Sequence, residues 1–114
     1  MTILLLCRDL VFPSRVKAVA EREGMTLETL RNPQQLVSRL ETGDAKLVLI
    51  DLTCPGLNPE ELTAAVGNVD PRPQLIGFGP HVKQALLESA RDAGFDQVLT
   101  NGQFDSQMTE VIRG

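Results

Sequence analysis

The sequence predicts an α/β fold in which a central parallel sheet of five strands carries helices on both faces. Strand-like and helix-like stretches alternate along the chain, as they do when helical crossovers join parallel strands. The run Leu47-Val48-Leu49-Ile50 is apolar at consecutive positions, which is typical of a strand buried on both faces. The chain has 114 residues, of which 42% are hydrophobic, so we expect a single domain over residues 1–114 with an ordinary core.

The first two strand–helix units are predicted from turn and capping residues. Residues 3–7 form strand one, and helix one begins near Pro13, because proline is well suited to a first helical turn. Strand two is expected over Thr26–Leu30, and the pair Asn32-Pro33 then supplies an N-cap and a first-turn proline to helix two. The apolar residues at helical spacing are Val16, Val19 and Ala20 in helix one and Leu36, Val37 and Leu40 in helix two.

The other three units follow the same logic. The pair Asn58-Pro59 repeats the helix-start signal, and Glu60 and Glu61 suit the dipole of the first turn. The remaining elements are a strand over residues 47–51, helix three from Asn58-Pro59, a strand over residues 74–78, helix four over residues 81–93, a strand over Gln97–Thr100 and a short last helix over residues 105–113. Their apolar faces are Leu62, Ala65 and Val66 in helix three, Val82, Ala85, Leu86, Ser89 and Ala90 in helix four, and Met108, Val111 and Ile112 in the last helix.

The order of the strands places two polar side chains together. Five units with right-handed crossovers fit a flavodoxin-like, doubly wound sheet with strand order 2-1-3-4-5. Strand three then lies beside strand one, so Asp51 and Cys7 should meet at the carboxyl edge of the sheet, near the topological switch point. Residues 7–12 contain no glycine, which disfavours a dinucleotide-binding loop after strand one.

Two short motifs resemble the receiver domains of response regulators. Asp51 is followed by Cys54, Pro55 and Gly56, where receivers carry a phosphoacceptor aspartate followed by Met-Pro and often Gly. Residues 90–96, Ala-Arg-Asp-Ala-Gly-Phe-Asp, are similar to the Ala-x-x-Ala-Gly-Ala-x segment that follows helix four in that family. The resemblance covers nearly the whole chain. It implies a chemotaxis-regulator-like fold, a role in bacterial two-component signal transduction and Asp51 at the phosphoacceptor position.

The positions that surround the aspartate in that family carry other residues here. Receivers end strand one with two or three acidic residues that hold Mg²⁺, strand four with a Thr or Ser that contacts the phosphoryl group, and strand five with a Lys. Mg²⁺ prefers hard oxygen ligands in near-octahedral geometry, so a thiol and a guanidinium are poor replacements for carboxylates. We therefore expect a degenerate receiver, or pseudo-receiver, without a metal site. The matching positions in this chain are Cys7, Arg8 and Asp9 at strand one, Phe78 or Gly79 at strand four and Asn101 at strand five.

Arg8 and the cysteines add expectations about the same site. A guanidinium turned toward Asp51 would form a bidentate pair where Mg²⁺ would bind, which predicts an Arg8–Asp51 ion pair that locks the site. Cys7 and Cys54 are interpreted as small apolar core residues, with a redox pair at the sheet edge as the alternative. No cofactor is expected. Mg²⁺ is expected only if the chain is a working response regulator that is phosphorylated on Asp51.

These features predict a stand-alone, non-enzymatic module that acts through protein–protein interaction, in trans or by dimerisation, and independently of phosphorylation. One alternative is a divergent, working response regulator that is phosphorylated on Asp51. Another is a small-ligand binder that uses the sheet edge near residues 77–79.

The expected partner is a protein, or a second copy of this chain. In receivers the surface of helix four, strand five and helix five is a usual partner or dimer face, and here Phe104 could pack inward or serve as an exposed anchor. The net charge of −4 and the absence of Tyr and Trp argue against nucleic acid. No apolar run approaches the ~18 residues of a membrane span, so we expect no membrane partner and a cytoplasmic protein. The candidate interface residues are Phe95, Val98, Phe104 and Met108.

Overall fold

The chain forms the five-stranded parallel sheet that its sequence predicts. A computed structural model describes residues 1–9 and 11–114. Neighbouring strands follow the order 2-1-3-4-5, which confirms the flavodoxin-like topology. The strands are β1 (Thr2–Leu6), β2 (Thr26–Leu30), β3 (Ala45–Asp51), β4 (Gln74–Gly79) and β5 (Gln97–Thr100).

Helices connect the strands, and two of them begin at the predicted asparagine caps. The side chain of Asn32 accepts a hydrogen bond from the Gln35 N–H (2.9 Å). The side chain of Asn58 accepts from the N–H groups of Glu60 and Glu61 (3.1 and 3.2 Å). A proline follows each cap, where its missing N–H would have had no helical partner. The helices are α1 (Phe12–Arg22), α2 (Pro33–Leu40), α3 (Pro59–Gly67), α4 (Gln84–Ala93), α5 (Asn101–Ser106) and α6 (Met108–Arg113).

The sheet separates two hydrophobic cores. Successive strand residues point to opposite faces, so Leu4 and Leu6 of β1 enter one core while Ile3 and Leu5 enter the other. We call the core covered by α2, α3 and α4 the first core, and the core covered by α1, α5 and α6 the second core. β3 is buried on both faces, which explains why residues 47–50 are apolar throughout. Among the helices that the structure describes, none is long and apolar enough to traverse a bilayer.

α4 begins at Gln84, about three residues later than the sequence predicts. The Lys83 N–H donates to the Pro80 carbonyl (3.0 Å), which forms a turn ahead of the helix. Val82 lies in that turn and is 74% exposed, so the predicted apolar face is wrong at this position. Local spacing cannot tell which side of a helix the sheet will cover. Of the other residues of that face, Ala85 and Ser89 are exposed, Leu86 is partly buried, and Ala90 is buried beside Leu87.

The C-terminal helical region is longer than predicted and consists of two helices. α5 begins at Asn101, directly after β5, because Thr100 forms a capping box with Gln103. The Thr100 hydroxyl accepts from the Gln103 N–H (3.1 Å), and the Gln103 side chain accepts from the Thr100 N–H (2.9 Å). The helical path breaks at Gln107, after which α6 begins. The sequence contains the corresponding signal, Thr-x-x-Gln at residues 100–103, which is sufficient to indicate this earlier helix start.

Candidate functional site

A cleft of about 420 Å³ opens at the carboxyl edge of the sheet, between the ends of β1, β3 and β4 and the start of α5. Asp51, the last residue of β3, is part of its lining. Open α/β sheets bind their ligands at this edge. The cleft is lined by five of the residues that the sequence places at the site, namely Cys7, Asp9, Asp51, Phe78 and Asn101.

The carboxylate of Asp51 is hydrogen-bonded on both oxygens. Oδ1 accepts from the backbone N–H of Thr53 (3.0 Å) and from its hydroxyl (2.7 Å). Oδ2 accepts from the thiol of Cys7 (3.6 Å), which confirms that Cys7 and Asp51 meet at one edge of the sheet. The contact to a backbone N–H two residues later is an Asx turn, which sets the direction of the chain as it leaves β3.

Both cysteines remain protonated thiols at neutral pH. Burial, together with the neighbouring Asp51 carboxylate, raises the pKa of Cys7 to about 11. Burial also raises the pKa of Cys54, whose Sγ donates to the Pro55 carbonyl (3.8 Å). The two side chains are buried and unlinked, as expected for small core residues. A protonated Cys7 is a donor to Asp51 and adds no negative charge to the cleft.

Arg8 and Gly79 do not line the cleft, although the sequence places them in the pocket. Arg8 is exposed, and within the described ranges 1–9 and 11–114 no ion pair joins it to Asp51. The predicted Arg8–Asp51 pair is therefore wrong, because an exposed guanidinium keeps its hydration and gains little from one carboxylate. Gly79 is buried toward the first core, beside Leu52.

The polar cleft residues Arg15, Thr53 and Asp105 are not among the site residues predicted from the sequence. Arg15 of α1 forms an ion pair with Asp105 of α5, and both line the cleft. They are 90 positions apart in the chain, so no local pattern could have paired them. Thr53 is different, because a hydroxyl two residues after Asp51 is a recognisable Asx-turn signal.

Three phenylalanines pack against one another beside Asp51. The rings of Phe78 and Phe104 are stacked with centroids 4.7 Å apart. The ring of Phe12 lies 5.4 Å from that of Phe78 and 5.7 Å from that of Phe104. Phe12 and Phe78 also line the cleft, so one of its walls is aromatic. The receiver resemblance implies a Thr or Ser hydroxyl at the end of β4, where this chain has the Phe78 ring.

The four residues predicted as an interface belong to the interior instead. Phe104 is 0% exposed, Met108 is 5% exposed and Phe95 is 8% exposed. Val98 is partly buried against the first core. The prediction of an exposed contact surface at these side chains is therefore wrong. Their apolar bulk is used inside, where α4, α5 and α6 close the two cores over the sheet.

The solved structures that share this architecture include receiver domains and response regulators. A receiver domain of a response regulator from Bermanella marisrubri has a TM-score of 0.76 at 19% identity, with 97% of this chain and 97% of that chain covered. The receiver domain of a sensor histidine kinase from Pseudomonas aeruginosa, described with a magnesium ion coordinated in its active-site cleft, has a TM-score of 0.76 at 18% identity, with 99% and 98% covered. A chemotaxis response regulator of Vibrio cholerae has a TM-score of 0.76 at 11% identity, with 96% and 97% covered.

These similarities show that the chain has the fold of response-regulator receiver domains, as its motifs suggested. At such low identities the likeness concerns the fold, and the chemistry of the cleft has to be argued from its own residues. No protein-family model matches the chain, and no curated protein sequence does.

The receiver fold implies a divalent metal ion beside the aspartate, and the residues of this cleft do not fit one. Asp9 Oδ1 accepts the N–H of Val11 (2.9 Å), and both oxygens of Asp51 already have donors. The Cys7 thiol, with its raised pKa, is a poor ligand for a hard cation. Across the residues that the structure describes, no group of three or more His, Cys, Asp or Glu side chains converges in the way a metal site requires.

Proposed function

We propose that this chain is a receiver-like signalling module that acts by binding a protein partner and needs no phosphorylation of Asp51. The observation that supports this most is the hydrogen bonding of the Asp51 carboxylate. Its oxygens accept from the Thr53 N–H and hydroxyl and from the Cys7 thiol, all of which are neutral donors. The group that would have to attack phosphorus is therefore already satisfied without a metal ion or a cation.

The charges of the cleft support the same conclusion. Phosphoryl transfer depends on positioning and on neutralising the charge of the transferred group. The lining residues that the structure describes include three carboxylates, Asp9, Asp51 and Asp105, and one guanidinium, Arg15, which is paired with Asp105. A phosphoryl group on Asp51 would add negative charge to a cleft whose lining is already acidic, and this is unfavourable at short range.

A phosphorylation assay tests the proposal. The protein is incubated with Mg²⁺ and acetyl phosphate, and its intact mass is followed over time, with a labelling-competent receiver domain treated in parallel as the positive control. We expect no mass increase of one phosphoryl group on this chain while the control receiver is modified. A phosphoryl adduct that appears on the wild type and is lost in Asp51→Asn would overturn the proposal.

A divergent response regulator phosphorylated on Asp51 is the second candidate. It is supported by the position of Asp51 at the carboxyl end of β3, in an open cleft that also contains Thr53 and Asn101. The same assay separates the two candidates, because only the second predicts an Asp51-dependent adduct. The small-ligand alternative has less support, since Gly77 and Gly79 are buried and do not line the cleft.

We infer a single receiver-like domain over residues 1–114 that works in the bacterial cytoplasm. We infer no catalytic activity of its own, since the cleft lacks an arrangement that would activate a nucleophile or a bound water among its described residues. We infer that its output is a contact with another protein, which requires a surface suited to that contact.

A further inference from the structure

Val37 is an apolar residue of α2 that the fold leaves partly exposed. Its spacing in α2 predicts that it faces the core together with Leu36 and Leu40. Leu36 and Leu40 are buried, but Val37 is 37% exposed. The side of α2 next to the buried Leu36 and Leu40 therefore carries an aliphatic side chain that a partner could reach.

Val37 lies in a groove between α2 and α3. One hollow of about 340 Å³ extends from Val37 toward the start of the two helices, and another of about 560 Å³ extends from Val37 toward their ends. Because Val37 lines both hollows, we treat them as one α2–α3 groove that follows the eight residues of α2, a length of about 12 Å. The groove is defined by Gln34, Val37, Glu41, Glu61, Ala65 and Asp70.

The charges along the α2–α3 groove all have one sign. Its described lining includes Glu61 near one end and Glu41 and Asp70 near the other, and it includes no lysine or arginine. A basic partner would therefore find opposite charges on both sides of the apolar centre. A second copy of this chain is disfavoured as the occupant, because the whole chain has a net charge of −4.

We propose that the α2–α3 groove binds a short, basic amphipathic helix of a partner protein. An aliphatic side chain of that helix packs on Val37 and Ala65, and its lysines or arginines lie near Glu41, Glu61 and Asp70. Two helices with a channel between them offer the ridges and grooves that a third helix packs against. This inference rests on the proposed function as a protein-interaction module and names the surface and the kind of partner.

A peptide titration of the full chain tests the groove. The probe is a synthetic helical peptide of roughly 12 residues, about three turns, with leucines at i, i+3, i+4 and i+7 and lysines elsewhere. It is added to isotope-labelled protein, and amide chemical shifts are followed by NMR. We expect the shift changes to map to the lining of the α2–α3 groove. Shift changes centred on the Asp51 cleft or on α4 would overturn the proposal.

Matched substitutions test the apolar centre. Val37→Asp should weaken peptide binding by about tenfold or more, because it places a carboxylate in the centre of the contact. Val82→Asp is the control, since Val82 is 74% exposed and lies outside the groove, and it should leave the affinity unchanged. Equal effects of the two substitutions, in proteins whose spectra show them to be folded, would contradict the assignment.

The acidic rim is tested separately. The double substitution Glu41→Gln and Asp70→Asn should weaken binding and reduce its dependence on salt, whereas Glu88→Gln, on the exposed face of α4, should do neither. A control peptide with glutamate in place of lysine should not bind. Equal binding of that acidic peptide, or a concentration-dependent dimer that buries the groove, would overturn the choice of a basic partner. Asp51→Asn should leave peptide binding intact. The peptide titration and the phosphorylation assay therefore test the groove and the proposed function independently.

Discussion

At the scale of single residues, Gly77 marks a point of close packing between β4 and the layer above it. A Cβ at this position would lie 3.0 Å from Leu52 Cδ2 and 3.0 Å from Phe95 Cδ2. Both neighbours are buried, so neither can move without disturbing the surrounding side chains. The glycine is therefore required by the ring of Phe95, which fills the space that any side chain at position 77 would need.

Gly77→Ala should therefore destabilise the protein by about 1–3 kcal/mol, because it overpacks the first core. The measurement is urea unfolding, with the slope of the transition checked for constancy. Gly102→Ala is the matched control. A Cβ there would meet no atom within 4 Å, and the residue is in α5, so its stability should stay the same or rise by up to about 1 kcal/mol. A Gly77→Ala protein as stable as the wild type would contradict the packing argument.

The sequence predicts those cleft residues that the ends of the strands bring together, and it does not predict those that depend on helix packing. The contact of Cys7 with Asp51 follows from the strand order alone, because β1 and β3 are neighbours and end at one edge. The ion pair of Arg15 with Asp105 does not, because it depends on how α1 and α5 pack. Arg8 was expected to point at Asp51, but the direction of an exposed side chain after a strand is not encoded in local spacing.

At the scale of elements, Arg39 connects α2 to two strands. Its Nε donates to Glu28 Oε2 of β2 (2.8 Å). Its Nη1 and Nη2 donate to the two carboxylate oxygens of Asp44, just before β3 (2.6 and 2.9 Å). This bidentate pair lowers the pKa of Asp44 from 3.8 to about 2. The start of β3 is thus held against α2 by an interaction that requires an ionised carboxylate.

This connection predicts a specific acid sensitivity. The pKa of Asp44 is lower in the folded state, so its stabilising contribution is present above pH 3.8 and is lost as the pH falls toward about 2. Asp44→Asn lacks this contribution at every pH. The melting temperature of the variant should therefore be lower than that of the wild type at neutral pH, and the difference should shrink toward pH 2. Asp92→Asn, at an exposed position of α4, is the control. A constant difference across this range would refute the argument.

Element boundaries were predicted well where a local signal is sufficient. The ends of β2 and β5 and the starts of α2 and α3 agree with the sequence, because turn residues and Asn-Pro caps act within a few positions. The predicted buried face of α4 is correct at Ala90 and wrong at Val82, Ala85 and Ser89, since helical spacing offers several faces and the sheet selects one. Of the two alternatives for Phe104, the structure shows inward packing, which the sequence could not select because apolar character alone does not distinguish an exposed anchor from a core residue.

At the scale of the whole molecule, the order of the strands determines where the fold is most protected. β1 and β3 are paired on both sides, and most of their residues are buried. β2 and β5 are the edges of the sheet, and the residues of β2 are partly or fully exposed. Opening of the edges therefore exposes less apolar surface than opening of the centre.

Native-state hydrogen exchange should show this gradient. The amides of β1 and β3 should exchange only through global unfolding, with free energies of opening close to that of unfolding. Those of β2 and β5 should exchange through smaller, local openings. Residue-resolved NMR exchange measures both groups in the same sample, so each serves as the reference for the other. Equal protection of the central and edge strands would mean that the molecule opens as a single unit.

The separation of two hydrophobic cores by the sheet has a consequence for how this protein can change. The α2–α3 groove lies on the side of the first core, whereas the rings of Phe78 and Phe104 belong to the second. Substitutions in the first core and in the second core share few neighbours, so their effects on the free energy of unfolding should be close to additive. The α2–α3 groove could thus be redesigned on one side of the sheet without changing the residues on the other side. In evolution, substitutions could likewise accumulate in the α2–α3 groove independently of those around Asp51.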